Sequence, residues 1–419
     1  MILGDNVICS TDPEETGLNN NVIVCGSSGS GKTMSVFEPR LLETFESSVV
    51  ATVTKRKVVN KYSKLFKDRG YEVLDMNFTD LKSSNVSYDP LKFLKSYTDI
   101  TFLANSIVQS NPKKLQKNNA DPYWDEAAAS LLSAEIAFVL MTKHDATFED
   151  VLKFHCNLEF KSSDDQITTN YDEKFEMLAD IDPNCYAVSC WKTFFHLPIR
   201  TANCVFSSLN TTIDTIFTPE LRKTLTAKDP IDVKSLAQKK TILFITTSAV
   251  NPSLHCFVNI FYSQMFKTLF EYSEELPSGR LPIPVNVLCD DFATGSRILN
   301  FPEYISIFRE KQISVTLLIQ SESQLKSMYD DDSVTIINNC DTYVYMGGMD
   351  LQTGKNISER LNIPLDEVLY MPIGQEFVFR RGSKPIITQR YSVKKNELYR
   401  SVTSRYEKEI ARKERLLDK

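Results

Sequence analysis

Seven short apolar runs punctuate the chain, at residues 22–25, 48–53, 71–78, 241–247, 285–289, 314–319 and 342–346. The most apolar of them are nearly continuous rather than alternating with polar residues, the pattern of strands covered on both faces of a sheet. Several are separated by helix-length stretches, which predicts an α/β domain built on a mostly parallel sheet. Between about 119 and 225 no convincing strand occurs, and that stretch reads as a helical insertion. Its first helix is announced by Asp121 as cap, Pro122 in the first turn and the run YWDEAAASLLSAEIAFVLM, with Trp124, Ala128, Leu131, Leu132 and Val139 as the apolar stripe. The run KSSDDQITT, between Phe160 and Thr169, is polar enough to read as a loop. Residues 375–391 read as a hairpin turning at Arg381, Gly382 and Ser383. The last 26 residues, KKNELYRSVTSRYEKEIARKERLLDK, form a charge-rich helix with few apolar positions, expected as a solvated or frayed tail. The pattern thus divides the chain into a discontinuous α/β domain of 1–118 and 226–395, an inserted all-α domain of 119–225, and a charged helix or tail of 396–419.

Candidate chemistry lies where two of these runs end. The run VIVC is followed by GSSGSGKT, in which Gly26, Gly31, Lys32 and Thr33 satisfy G-x-x-x-x-G-K-[ST]. The chain has 13 glycines in 419 residues, yet Gly26, Gly29 and Gly31 fall in one loop with Ser27, Ser28 and Ser30. Backbone without Cβ curls around a phosphate with its amides inward, Lys32 adds a point charge, and the following helix offers its positive end. Thr33 is then placed to ligate magnesium. The run VNVLC stops abruptly at Asp290 and Asp291. Ligands of parallel sheets bind at the carboxyl ends of the strands, so Asp290 is the candidate second magnesium ligand; Asp291 stands where the ring-shaped ATPases that the chain resembles place the group that orients or deprotonates an attacking water.

Composition sets bounds. A net charge of -6 argues against a protein that coats nucleic acid nonspecifically, although a local basic patch or pore loop is compatible with it. No apolar run approaches the ~18 residues of a membrane-spanning helix, and the start, MILGDNVICSTDPEE, lacks a signal peptide's basic-then-apolar order. The nine cysteines include no C-x-x-C pair and read as reduced thiols. His144, His155, His196 and His255 are isolated and read as packing or surface residues.

With a phosphate loop, a strand ending in acids and a long helical insertion between them, the chain resembles the type IV coupling proteins, the TraG-like ATPases of conjugation and type IV secretion. The resemblance runs from about Leu3 to Val393 through NNNVIVCGSSGSGKT, DPYWDEAAASLL, CDDFA, LLIQSESQLKSMY and IINNCDTYVYMGG. It implies a RecA-like P-loop NTPase domain with an inserted all-α domain, assembling as a hexameric ring around a channel. Such proteins use ATP and Mg2+ to feed a relaxase with its single-stranded DNA, or a protein effector, to the components of a type IV secretion channel. By the resemblance, Lys32 and Thr33 bind phosphates and magnesium, Asp290 holds magnesium, Asp291 takes the place of the family's catalytic Glu, and Gln320 that of its sensor Gln. In FREKQIS, Lys311 stands where an Arg reaching into a neighbour's nucleotide is expected, with Arg309 as the available substitute. The family's D-P-K-G after the second strand is replaced by VTKRK, which loses the acid. Only about two dozen residues precede the phosphate loop, so the membrane helices usual there are missing, and the expected location is cytoplasmic, peripheral at the inner face of the bacterial cell membrane. Two other readings compete: a nucleotide-gated adaptor with little hydrolysis, and a soluble DNA translocase of the FtsK and HerA type.

Overall fold

The computed structural model describes residues 1–110, 122–163, 166–227, 229–248 and 251–417; the expected cap Asp121 and the expected boundary at 119 lie outside the described residues. Nine strands form one sheet in the order Ile386–Gln389, Gln375–Arg380, Thr342–Tyr345, Val22–Cys25, Ile313–Ile319, Val285–Cys289, Ser48–Val53, Thr241–Thr246, Glu72–Asn77. The seven strands from Thr342–Tyr345 onward pair in parallel, and the first two form an antiparallel hairpin at one edge. All seven apolar runs are strands of this sheet, with ends shifted by a residue or two.

Their continuous apolar character follows from the packing. Successive side chains of a strand point to opposite faces, and here each face has its own core. Val22, Val24, Val49, Ala51, Phe244 and Leu318 enter one core, which helix Arg56–Asp68 covers through Tyr62, Leu65 and Phe66. Ile23, Cys25, Val50, Ile245, Val287 and Leu317 enter the other, which continues into the inserted helices. Phe257, on the long helix Pro252–Glu275, joins the two parts: its ring lies 5.2 Å from Phe78 and 5.7 Å from Phe217 of the insertion.

The insertion is mainly helical: Pro122–Thr142, Phe148–Cys156, Asp172–Ile181, Tyr186–Phe195 and Ile199–Ile216 carry it. Three expectations are corrected. Helix Pro122–Thr142 is buried on several sides, with Ala127, Ala128, Leu131, Leu132, Ile136 and Val139 all in the core, whereas Trp124 is 39 % exposed and outside the stripe. The polar run after Phe160 is no loop: Phe160–Ser163 and Gln166–Thr169 pair as an antiparallel hairpin. Its apolar anchor is Phe160, 4.7 Å from the Phe206 ring, while β-branched Thr168 and Thr169 favour the strand although too polar to signal it. The terminal helix Glu397–Leu417 is docked over its first half rather than frayed. Val402 is buried, the Lys61 ammonium lies 3.5 Å from the Tyr399 ring centre, and Arg405 pairs with Asp68 at 2.7 Å.

Candidate nucleotide site

The phosphate loop leaves the central strand Val22–Cys25 at the carboxyl edge of the sheet, where the neighbouring strand receives it: the Gly26 amide donates to the Ile319 carbonyl at 3.1 Å and the Ser27 amide to Gly347 at 2.9 Å. Gly29 and Gly31 have φ of +78° and +94°, a region that side-chain-bearing residues rarely adopt. Lys32 folds back into the loop and donates to the carbonyls of Gly26 at 2.5 Å and Ser27 at 3.1 Å. Burial lowers its pKa, and Asp291 and Asp290 push it back up. The Ser30 hydroxyl is buried with no hydrogen-bond partner among the described residues. The helix behind the loop opens as a π-turn, Thr33–Phe37, a feature that recurs at functional sites. Glycine-shaped backbone, an inturned ammonium and an orphaned hydroxyl fit a polyphosphate.

Asp290 and Asp291 follow strand Val285–Cys289 two strands away and act on Lys32 electrostatically. Burial and then the Asp291 charge push the Asp290 carboxyl up to about 6, against the pull of Lys32 and Lys55. A divalent cation would reverse that push by favouring the ionised form. The hydroxyl of Thr33 and the carboxylate of Asp290 are hard oxygen donors suited to magnesium. Asp291 and Ala293 have φ of +55° and +66°, so the turn after the strand is held in a left-handed backbone conformation. What holds it is the start of helix Pro252–Glu275. The Asn259 amide donates to the carbonyls of Thr294 at 3.1 Å and Ser296 at 2.7 Å. Gly295, at φ +83°, lies so close that a Cβ would stand 2.6 Å from the Cβ of His255 and 2.9 Å from the Cys256 nitrogen. A cavity of about 20 Å³, the room of one water, lies between this helix and the acids, lined by Asp290, Asp291, His255 and Tyr262 among others. Gly295→Ala is therefore expected to destabilise the fold by ~2 kcal/mol or more, since a left-handed Cβ alone costs ~1–2 kcal/mol and the clash adds to it; urea unfolding measures this, and an unchanged midpoint would refute the packing argument.

The structure brings together the loop residues Gly26, Ser27, Ser28, Gly29, Ser30, Gly31, Lys32 and Thr33, the acids Asp290 and Asp291, and Gln320, which follows strand Ile313–Ile319 beside the loop and is exposed. It does not bring Arg309 or Lys311 there. Both end helix Phe301–Lys311 at the opposite edge of the sheet, before Ile313. Lys311 is buried: its ammonium is held by the Glu274 carboxylate, with the Gly279 carbonyl at 3.3 Å. The face expected of it is taken by Arg309, which is exposed and 3.4 Å from the Pro13 carbonyl. Residues two apart on a helix point to different faces, so of the two only Arg309 is exposed at the surface. Three residues of the region carry no motif in the sequence. His255, expected as a packing residue, lines the cavity beside the acids. Lys55, in the VTKRK stretch, is a cation that acts electrostatically on Asp290. Arg390, after the edge hairpin, lies against Gly31.

A phosphate loop and a magnesium-type acid at the carboxyl ends of two parallel strands, with one strand between them, define a P-loop NTPase of RecA type. The family model described as Type IV secretory system Conjugative DNA transfer matches residues 4–362, and the chain belongs to that family. No curated protein sequence matches it. Among solved structures it is similar to the bacterial conjugative coupling protein TrwBdeltaN70 in complex with sulphate, at 15% identity and a TM-score of 0.66, over 89% of this chain and 85% of that one. The plasmid coupling protein TrwB in complex with ADP and Mg2+ superposes at a TM-score of 0.62 and 13% identity, over 89% of this chain and 85% of that one. VirB4 of Thermoanaerobacter pseudethanolicus matches over 95% of this chain and 97% of its own, at 10% identity and a TM-score of 0.55. Among the described residues, no helix is long and apolar enough to cross a membrane.

Proposed function

We propose that the chain is an ATP-driven coupling protein that recruits a relaxase with its single-stranded DNA, or a protein effector, at the cytoplasmic face of the cell membrane and delivers it to a type IV secretion channel. The observation that supports this most is the family match across 4–362 combined with an intact phosphate loop facing paired acids. Bound magnesium ATP supplies a cleavable phosphoanhydride and the energy of its hydrolysis. Gly26 to Thr33 would hold its phosphates, with Lys32 as the point charge, and Thr33 and Asp290 would hold the metal. Asp291 takes a proton from water and Gln320 orients that water through an amide that both donates and accepts. Asp291 is one methylene shorter than a Glu, and a misplacement of about 1 Å can cost roughly a hundredfold in rate, so turnover is slow. Arg309 completes the site of the next copy in a hexameric ring, and the insertion reads the cargo.

Two measurements test this reading. In donor cells, deleting the gene abolishes transfer of the mobilised DNA, which the wild-type chain restores and Asp290→Ala does not; undiminished transfer without the gene overturns the proposal. In a steady-state assay Asp291→Glu raises turnover and Asp291→Asn lowers it. Brisk wild-type turnover that Asp291→Glu slows would show that the backbone already brings the shorter acid to the water.

A further inference from the structure

The edge hairpin ends at the phosphate loop. Gln375–Arg380 runs antiparallel to Thr342–Tyr345 and Ile386–Gln389 antiparallel to it in turn. Two reversals leave Ile386–Gln389 running in the same direction as Val22–Cys25, so the residue after it, Arg390, emerges at the same edge as Gly26. Its backbone is fixed there, its amide donating to the Gly374 carbonyl at 2.7 Å. Its side chain reaches over the loop: a guanidinium nitrogen stands 2.9 Å, and Cδ 3.8 Å, from the point a Cβ on Gly31 would occupy. Of the three loop glycines, Gly31 is the one whose Cβ would meet Arg390, besides needing its φ of +94°.

Among the described residues the Arg390 guanidinium has neither a hydrogen-bond acceptor nor an ion-pair partner. A half-buried guanidinium carries five donors, and here none of them is taken up by an acceptor of the described residues. The acid nearest in the hairpin, Glu376, does not supply one. It is fully buried under the amino-terminal strand, and neither carboxylate oxygen has a partner. A Cβ on Gly4 would lie 2.7 Å from Glu376 Oε1, so that strand closes directly over it. Burial pushes this carboxyl up to about 8, against the pull of Arg390, which leaves it uncharged at neutral pH and the guanidinium unneutralised.

We propose that Arg390 is a nucleotide-binding residue of its own chain's site, donating in a forked arrangement to the phosphates held by Gly31 and Lys32, so that the edge hairpin is tied to nucleotide occupancy. The inference rests on the nucleotide-binding reading above. Its chemistry is the preference of guanidinium for paired phosphate oxygens, and its geometry is a donor fork placed beside the loop with nothing of the protein's own to bind. It differs from the role given to Arg309, which serves a neighbouring copy.

Binding of magnesium ATP, magnesium ADP and inorganic tripolyphosphate to the full chain is the test, with nucleotide-free melting temperature measured alongside. Loss of a charge-assisted hydrogen bond is worth roughly tenfold to a hundredfold in affinity. Arg390→Ala and Arg390→Gln are expected to weaken ATP and tripolyphosphate by that factor, while Arg390→Lys, which keeps the charge but not the fork, falls between them and wild type. Arg390→Gln keeps the stem over Gly31 and answers the question should the Ala variant melt early. Wild-type affinity in Arg390→Gln overturns this inference alone. A wild-type chain that binds none of the three ligands overturns the nucleotide reading with it.

Discussion

Lys32→Ala abolishes the stabilisation that magnesium ATP gives the wild-type chain. A ligand present at a hundred times its dissociation constant stabilises a folded protein by ~2.7 kcal/mol, and that gain is expected to vanish in the variant up to millimolar nucleotide. The loss has two parts. The ammonium, seated inside the loop on the carbonyls of Gly26 and Ser27, is the loop's own positive charge. It also pulls the Asp290 carboxyl down, against the push of burial and Asp291 that leaves it at about 6 even with Lys32 in place. Without Lys32 the acid is less often ionised at neutral pH, so magnesium is held less well in addition to the phosphates. Thermal unfolding with and without magnesium ATP measures the effect. An equal rise in wild type and variant would place the nucleotide elsewhere, and no rise in either would remove the nucleotide from the account.

Most of the site was legible because its parts are local. The phosphate loop is a single run of residues in which scarce glycines concentrate, and Asp290 and Asp291 announce themselves by ending an apolar strand. The sheet was legible because both of its faces are covered, which forces near-continuous apolar runs. What the sequence did not yield depends on contacts between distant segments. Whether Lys311 or Arg309 faces outward is decided by Glu274, 37 residues away on another helix. The hairpin that begins at Phe160 is polar in sequence, and the contacts of Phe160 with Phe194 and Phe206 come from helices beyond it. Arg390 lies 359 residues after Gly31 and follows a strand that has no motif; only the two reversals at the sheet edge carry it to the loop. His255 looked isolated because its neighbours Asp290 and Asp291 come from the following strand.

Glu376→Gln makes the fold more stable in mild alkali and has little effect in mild acid. The strand QEFVFR gives no hint that its acid is inward, yet Glu376 is fully buried beneath Gly4 and both oxygens lack partners. Burying an unpaired charge is far more costly than burying a neutral acid, and the carboxyl is accordingly pushed up from 4.5 to about 8 by burial, with Arg390 pulling the other way. The folded chain keeps this proton through the window from about pH 4.5 to 8, where the unfolded chain has already released it. Stability therefore falls as pH rises through that window, by up to ~1.4 kcal/mol per pH unit. Gln has the shape of the protonated acid and nothing to release. Near pH 5 the two proteins should be about equally stable, and by pH 8.5 the variant should lead by roughly 2–4 kcal/mol. Urea unfolding at pH 5, 7 and 8.5 reads the difference, and taking it between variant and wild type cancels the titration of other groups. A difference that stays constant with pH would mean that Glu376 has a similar pKa in both states. In the folded chain that requires a partner, and Arg390 is the nearest cation acting on it. That result would also withdraw the free guanidinium from the nucleotide, so one titration bears on both the stability of the edge hairpin and its part in binding.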